Sequence, residues 1–151
     1  MERPRLVIAS TDKETRRKLQ GLLEKFYEVQ SCSYSELLDT LQDDDIDCVL
    51  LDSVPPWRDV ESLLIQIHAH KPMLPVILMT GGEISRKPLA ALMLGAWDYI
   101  NKPFNPDEVL FTIEKTLSVY LLQAELQFLK HQVVEKILRP KSLEVIEKHL
   151  S

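Results

Sequence analysis

An open α/β sandwich, a parallel sheet with helices on both faces, is the fold class this sequence predicts. Short apolar runs alternate five times with segments of helical period, the pattern of successive β–α steps. Several runs are continuously apolar, as strands buried on both faces are. The third observation is size: 151 residues, 45% hydrophobic and 27% charged, suffice for one buried core plus a short appendage. Crossovers in such a sheet are right-handed.

The elements follow in order. Leu6–Ala9 is the first apolar run. Residues 13–26 follow as a helix, with Leu19, Leu22, Leu23 and Phe26 on one face, and Thr11 and Glu14 form a capping box in front of it. Tyr27–Cys32 is a second strand of weaker pattern. Ser33 and Glu36 repeat the capping-box spacing ahead of Leu37, Leu38 and Leu41. Cys48–Leu51 is a strand apolar on both faces, stopped by Pro55-Pro56. Val60, Leu63, Leu64 and Ile67 mark a third helix. Pro75–Met79 is the fourth strand, residues 87–94 a short fourth helix, and Tyr99–Ile100 the centre of a fifth strand.

The last third changes character. Asn105 as N-cap, Pro106 at the first helical position and the acidic Asp107-Glu108 start a helix that meets no Gly or Pro until Pro140. Run to about residue 138 it would measure roughly 45–50 Å, longer than a domain of this size can cover. Val109, Leu110 and Ile113 suit docking on a sheet. Val119, Leu122, Leu126, Leu129 and Val133 are spaced 3-4-3-4, the seam of a helix that pairs with another chain, with a helix folded back on its own domain as the alternative. A short helix, Ser142–Leu150, closes the chain with no assignable role. The expected division is 1–118 for the sheet domain and 119–151 for a helical extension.

Composition excludes several classes. Eighteen Lys plus Arg against 23 Asp plus Glu give a net charge of −5, against nucleic-acid binding driven by bulk charge. Cys32 and Cys48 have no metal-ligand spacing. No apolar run reaches membrane-spanning length and the N-terminus has no signal-peptide pattern, so a cytoplasmic location is expected. His68 and His70 are two apart and point to different faces of a helix. Asp43-Asp44-Asp45 reads as a solvated loop at the amino edge of the sheet.

Ligands of open α/β sheets bind beyond the carboxyl ends of the strands. The residues there are Ser10, Thr11 and Asp12 after strand one, Asp52 after strand three, Thr80 after strand four and Lys102 beside strand five. A carboxylate, a hydroxyl and an ammonium thus share one edge. An aspartate can attack a phosphoryl group to form an acyl phosphate, with a hydroxyl and a lysine as donors to the phosphoryl oxygens.

Three stretches carry a resemblance. Val49–Pro56 resembles the phosphoacceptor strand and loop of response regulator receiver domains. Pro75–Gly81 is similar to their fourth strand, and Gly95-Ala96-Trp97-Asp98-Tyr99-Ile100-Asn101-Lys102-Pro103-Phe104 to their fifth-strand signature. The resemblance covers about residues 4–118 and implies a flavodoxin-like, doubly wound sheet of order 2-1-3-4-5. It further implies Asp52 as phosphoacceptor for a sensor histidine kinase, Thr80 and Lys102 as phosphoryl-binding residues and Tyr99 as the switch aromatic. Magnesium would be held by Asp52, the Val54 backbone carbonyl and Asp12. The resemblance also implies signalling rather than metabolic enzymology, and a homodimer through the fourth helix, fifth strand and fifth helix. The apolar run Pro88–Leu94 agrees with such an interface. The long helix resembles the linker of bacterial enhancer-binding transcription activators.

One departure bears on the chemistry. Where receivers carry an acidic pair after strand one, this chain has Ser10 and Thr11, with Asp12 next. Three readings follow: Asp12 turns inward and binds a weakened magnesium, phosphorylation is slow, or the domain is a degenerate pseudo-receiver acting as a phosphorylation-independent dimerisation scaffold. Trp57, in place of the usual glycine-containing loop, either covers the site or is simply exposed. A flavin-binding protein of the same fold has no support beyond the fold itself.

Overall fold

The continuous apolar runs become strands because only a sheet covered on both faces removes both sets of side chains from water. The computed structural model describes residues 3–43, 45–54, 56–81 and 88–137. Within them lie β1 (Arg5–Ala9), α1 (Lys13–Leu23), β2 (Glu28–Cys32), α2 (Tyr34–Thr40), β3 (Cys48–Asp52), α3 (Trp57–His70), β4 (Val76–Thr80), α4 (Pro88–Met93), β5 (Asp98–Asn101) and α5 (Pro106–Val133). The strands form one parallel sheet ordered β2-β1-β3-β4-β5, the expected fold.

Alternation along the strands divides the core into two layers. Val7, Ala9, Val49, Leu51, Val76 and Leu78 pack with Leu37, Val60, Leu64 and Ile67 of α2 and α3. Leu6, Ile8, Leu50, Ile77, Met79 and Ile100 pack with Leu19 and Leu23 of α1 and Val109, Ile113 and Leu117 of α5. Burial of each large aliphatic side chain contributes roughly 1.5–3 kcal/mol, so these two layers are the main stabilising term. Lys115 of α5 also pairs with Asp98 of β5 at 2.8 Å.

The turn before β5 needs glycine. Gly95 has φ +112°, and a Cβ there would stand 2.9 Å from His68 Nδ1.

Local expectations meet mixed outcomes. The α2 capping box forms, with the Ser33 N–H donating to Glu36 Oε1 at 3.1 Å. The box expected of Thr11 does not. Asp12 is the N-cap of α1, its Oδ1 accepting from the Glu14 N–H at 3.1 Å, while Thr11 is exposed. The helix starts one residue later than the Thr11 reading requires, and the Asp12 carboxylate caps it. Phe26 lies beyond the end of α1 and is exposed, so it leaves the apolar face assigned to it. Asn105 caps α5 as expected, accepting from the Asp107 N–H at 2.8 Å. Asp43 and Asp45 of the acidic run both pair with Arg5.

Contacts divide the chain into two units, Met1–Leu117 and Ser118–Ser151. In the second, the helix continues to Val133 and the next turn, 134–137, widens to π geometry. Val119, Leu122, Leu126, Leu129 and Val133 are all exposed. The expected Ser142–Leu150 helix lies outside the described residues. No described helix is long and apolar enough to cross a membrane.

Candidate functional site

Sheet register decides which side chains meet at the carboxyl edge. β1 pairs Ala9 with Leu51, so the next residues, Ser10 and Asp52, fall side by side on one face. Their side chains meet: Ser10 Oγ donates to Asp52 Oδ2 at 2.7 Å, and both residues are wholly buried. Ser10 Oγ also accepts from the Asp12 N–H at 3.0 Å, which fixes its rotamer.

Asp52 Oδ1 takes the ammonium of Lys102. Lys102 follows β5, and its backbone N–H donates to the Thr80 carbonyl at 2.6 Å. Its stem lies against Gly81, where a Cβ would come within 3.3 Å of Lys102 Cβ. A bulkier residue at 81 would push the lysine from its path to Asp52. The carboxylate is thus desolvated, and one cation and one hydroxyl donor occupy its two oxygens. That is how a buried charge is retained in a protein.

The register sends Thr80 the other way. Met79 is the partner of Asp52, so Thr80 belongs to the opposite face and pairs with Asn101. Its hydroxyl is buried and donates to Asn101 Oδ1 at 2.9 Å. Tyr99, two residues before Asn101 on that face of β5, is 37% exposed. Asp12 is exposed and its carboxylate is engaged at the start of α1. Its Oδ2 accepts from Thr15 Oγ1 at 2.8 Å while Oδ1 caps the helix, and these hydrogen bonds hold its carboxyl below the usual carboxylate range. Among the described residues no cluster of three His, Cys, Asp or Glu could hold a metal. Trp57, the first residue of α3, is half-buried and packs against the core layer under α2 and α3.

Two residues of the site escape sequence reasoning. Tyr34, the first residue of α2, donates its hydroxyl to the Asp52 carbonyl and accepts from the Val54 N–H at 3.1 Å. Burial pushes its hydroxyl pKa up to about 12, so it remains a donor at neutral pH. Ser53 donates to the Met79 carbonyl through its side chain. No spacing signal connects Tyr34 to a strand 18 residues away.

Chemically, the arrangement presents a buried carboxylate at a strand end, a mobile-stemmed cation on one oxygen, and a hydroxyl residue one strand over. Such a site suits transfer of a compact anionic group to an aspartate oxygen.

The sequence profile of the response regulator receiver domain matches residues 6–114. The DNA-binding transcriptional regulator NtrC of Klebsiella pneumoniae is 38% identical over 93 residues, 62% of this chain and 20% of that protein. The chain therefore spans about a fifth of the length of that curated relative. Among solved structures, NtrX from Brucella abortus aligns with TM-score 0.77 at 25% identity, over 85% of this chain and 30% of that one. The isolated receiver domain of the same NtrX aligns with TM-score 0.69 at 26% identity, over 75% of this chain and 98% of that one.

Proposed function

The chain belongs to the response regulator receiver family, and we propose that it acts as a phosphorylation-controlled receiver in which Asp52 accepts the phosphoryl group of a sensor histidine kinase. Receiver domains are signalling modules that work with such kinases. The observation that carries the reading is the buried Asp52 carboxylate held between Lys102 and Ser10 at the end of β3.

In the proposed reaction an Asp52 carboxylate oxygen attacks phosphorus of the phosphohistidine. The P–O bond forms as the P–N bond breaks, and the leaving imidazole nitrogen takes up a proton. Lys102 follows the charge onto the phosphoryl oxygens, as an ammonium on a flexible stem can. Thr80 exchanges its Asn101 partner for a phosphoryl oxygen, and Tyr99 on the same face of β5 responds to that exchange.

Receiver domains generally bind magnesium at an acidic pocket. In this chain the donors fit it poorly. Ser10 supplies a hydroxyl already donated to Asp52, and Asp12 uses its carboxylate to cap α1. The remaining oxygen donors are Asp52 itself and the Val54 carbonyl, so magnesium is bound weakly.

The output we propose is homodimerisation. Leu92 and Met93 of α4, Tyr99 of β5 and Phe111 of α5 are exposed apolar side chains on the α4–β5–α5 face, and the 3-4-3-4 stripe from Val119 to Val133 is exposed as well.

The test is incubation with acetyl phosphate and magnesium chloride, read by intact mass beside Asp52→Ala. A gain of one phosphoryl group in the unsubstituted chain alone is expected. No gain, under conditions that label another receiver, overturns the reading in favour of a phosphorylation-independent dimerisation module.

A further inference from the structure

The hydrogen-bond ladder between β1 and β3 ends at Ala9 and Leu51. Beyond it, the backbone around Ser53 must be held by other groups, because unpaired peptide groups away from water are costly. The Ser53 N–H goes to the Met79 carbonyl at 2.9 Å. The Asp52 carbonyl and the Val54 N–H go to one atom, the Tyr34 hydroxyl. That atom is itself well anchored. Tyr34 opens α2 directly behind the Ser33–Glu36 capping box, and its ring packs against the core layer beneath α2 and α3. A rigid helix start is thereby coupled to the peptide groups on either side of Ser53.

We infer that Tyr34 is a positioning residue for the phosphoacceptor: its hydroxyl pins the peptide groups flanking Ser53 and so fixes the loop from which Asp52 reacts. The inference rests on the reading of Asp52 given above. Rotation of the 52–54 backbone would swing the Asp52 side chain away from Ser10 and Lys102. Reaction rates fall steeply when a nucleophile loses its alignment, even by about 1 Å. Tyr34 touches neither phosphodonor nor carboxylate in this scheme; it acts through the backbone alone.

The experiment compares the full chain with Tyr34→Phe, Tyr34→Leu and Asp52→Ala in three measurements: labelling rate with acetyl phosphate, thermal midpoint, and hydrogen exchange at the Val54 amide. Phe keeps the ring and loses the hydroxyl, whereas Leu loses both. Positioning predicts labelling slowed about tenfold in both variants, a large drop in midpoint only for Leu, and faster Val54 exchange in both. Labelling that tracks the midpoint, with Phe behaving as the unsubstituted chain, overturns the inference and leaves Tyr34 as packing. If the unsubstituted chain takes no phosphoryl group, the reading of Asp52 fails instead. The exchange measurement then decides Tyr34 alone: faster Val54 exchange in Tyr34→Phe upholds the backbone clamp, and unchanged exchange rejects it.

Discussion

Substituting Ser10→Asp puts the weak-magnesium argument at risk most directly. Ser10 Oγ lies 2.7 Å from Asp52 Oδ2, and both residues are wholly buried. An aspartate at position 10 removes that hydrogen bond and brings a second carboxylate to about 4 Å. At that distance two like charges repel by about 1 kcal/mol in water and about 4 kcal/mol at an effective dielectric of 20. The Lys102 ammonium offsets part of this, so a net loss of about 1–3 kcal/mol is expected without divalent cation. For a chain of this size that is a fall in thermal midpoint of roughly 2–12 °C. Two adjacent carboxylates also make an oxygen site for a hard cation. Magnesium at about 100 times its dissociation constant returns about 2.7 kcal/mol to the variant. The assay is thermal unfolding of both proteins across a magnesium chloride titration. A variant as stable as the parent, or one whose midpoint responds to magnesium no more than the parent's, refutes the account of the pocket.

Four further outcomes are expected. Lys102→Met strips the buried Asp52 Oδ1 of its cation and costs about 1–3 kcal/mol by urea denaturation, and Asp52→Asn in the same background recovers most of the loss, since the uncompensated charge is the cause. Asp12→Ala lowers the thermal midpoint while Thr11→Ala does not, because Asp12 caps α1. Hydrogen bonds lower the folded-state pKa of Asp12 and of Glu36, so what these groups contribute is present at neutral pH and is lost as pH falls below about 4, which a pH series of midpoints on Asp12→Ala and the parent will read. Leu122→Asp with Leu129→Asp turns the proposed dimer into monomer in sedimentation velocity, with the circular dichroism of the sheet domain unchanged; a parent that sediments as monomer at every concentration removes the dimer from the proposal.

Much of this molecule is written in local pattern. Continuous apolar runs at Leu6–Ala9, Cys48–Leu51 and Val76–Met79 cannot be satisfied by a sheet with a wet face, so they demand helices on both sides. Ser33 with Glu36 and Asn105 with Pro106 mark helix starts by hydrogen bonds made within a few residues, which is why both are correct to the residue. The same local logic fails at α1. Thr11 and Asp12 are both able caps, and the choice falls to Asp12 because Ser10 is held against Asp52 by the register of β1 on β3. That register is a tertiary fact, and it sets where the helix begins.

The site divides in the same way. Asp52, Thr80 and Lys102 are legible because strand ends in a parallel sheet converge on one edge whatever the details. Their partners are not. Whether Thr80 faces Asp52 or Asn101 depends on a one-residue parity between β3 and β4, and a one-residue change in register flips every side chain. Tyr34 reaches Asp52 only because the crossover through α2 returns the chain beside the end of β3. Fold class and the edge where the chemistry gathers both follow from periodicities of two to four residues and so are legible without a structure. Pairing across that edge was decided by the tertiary structure, because hydrogen bonds between distant residues depend on register and crossover geometry that no local period encodes.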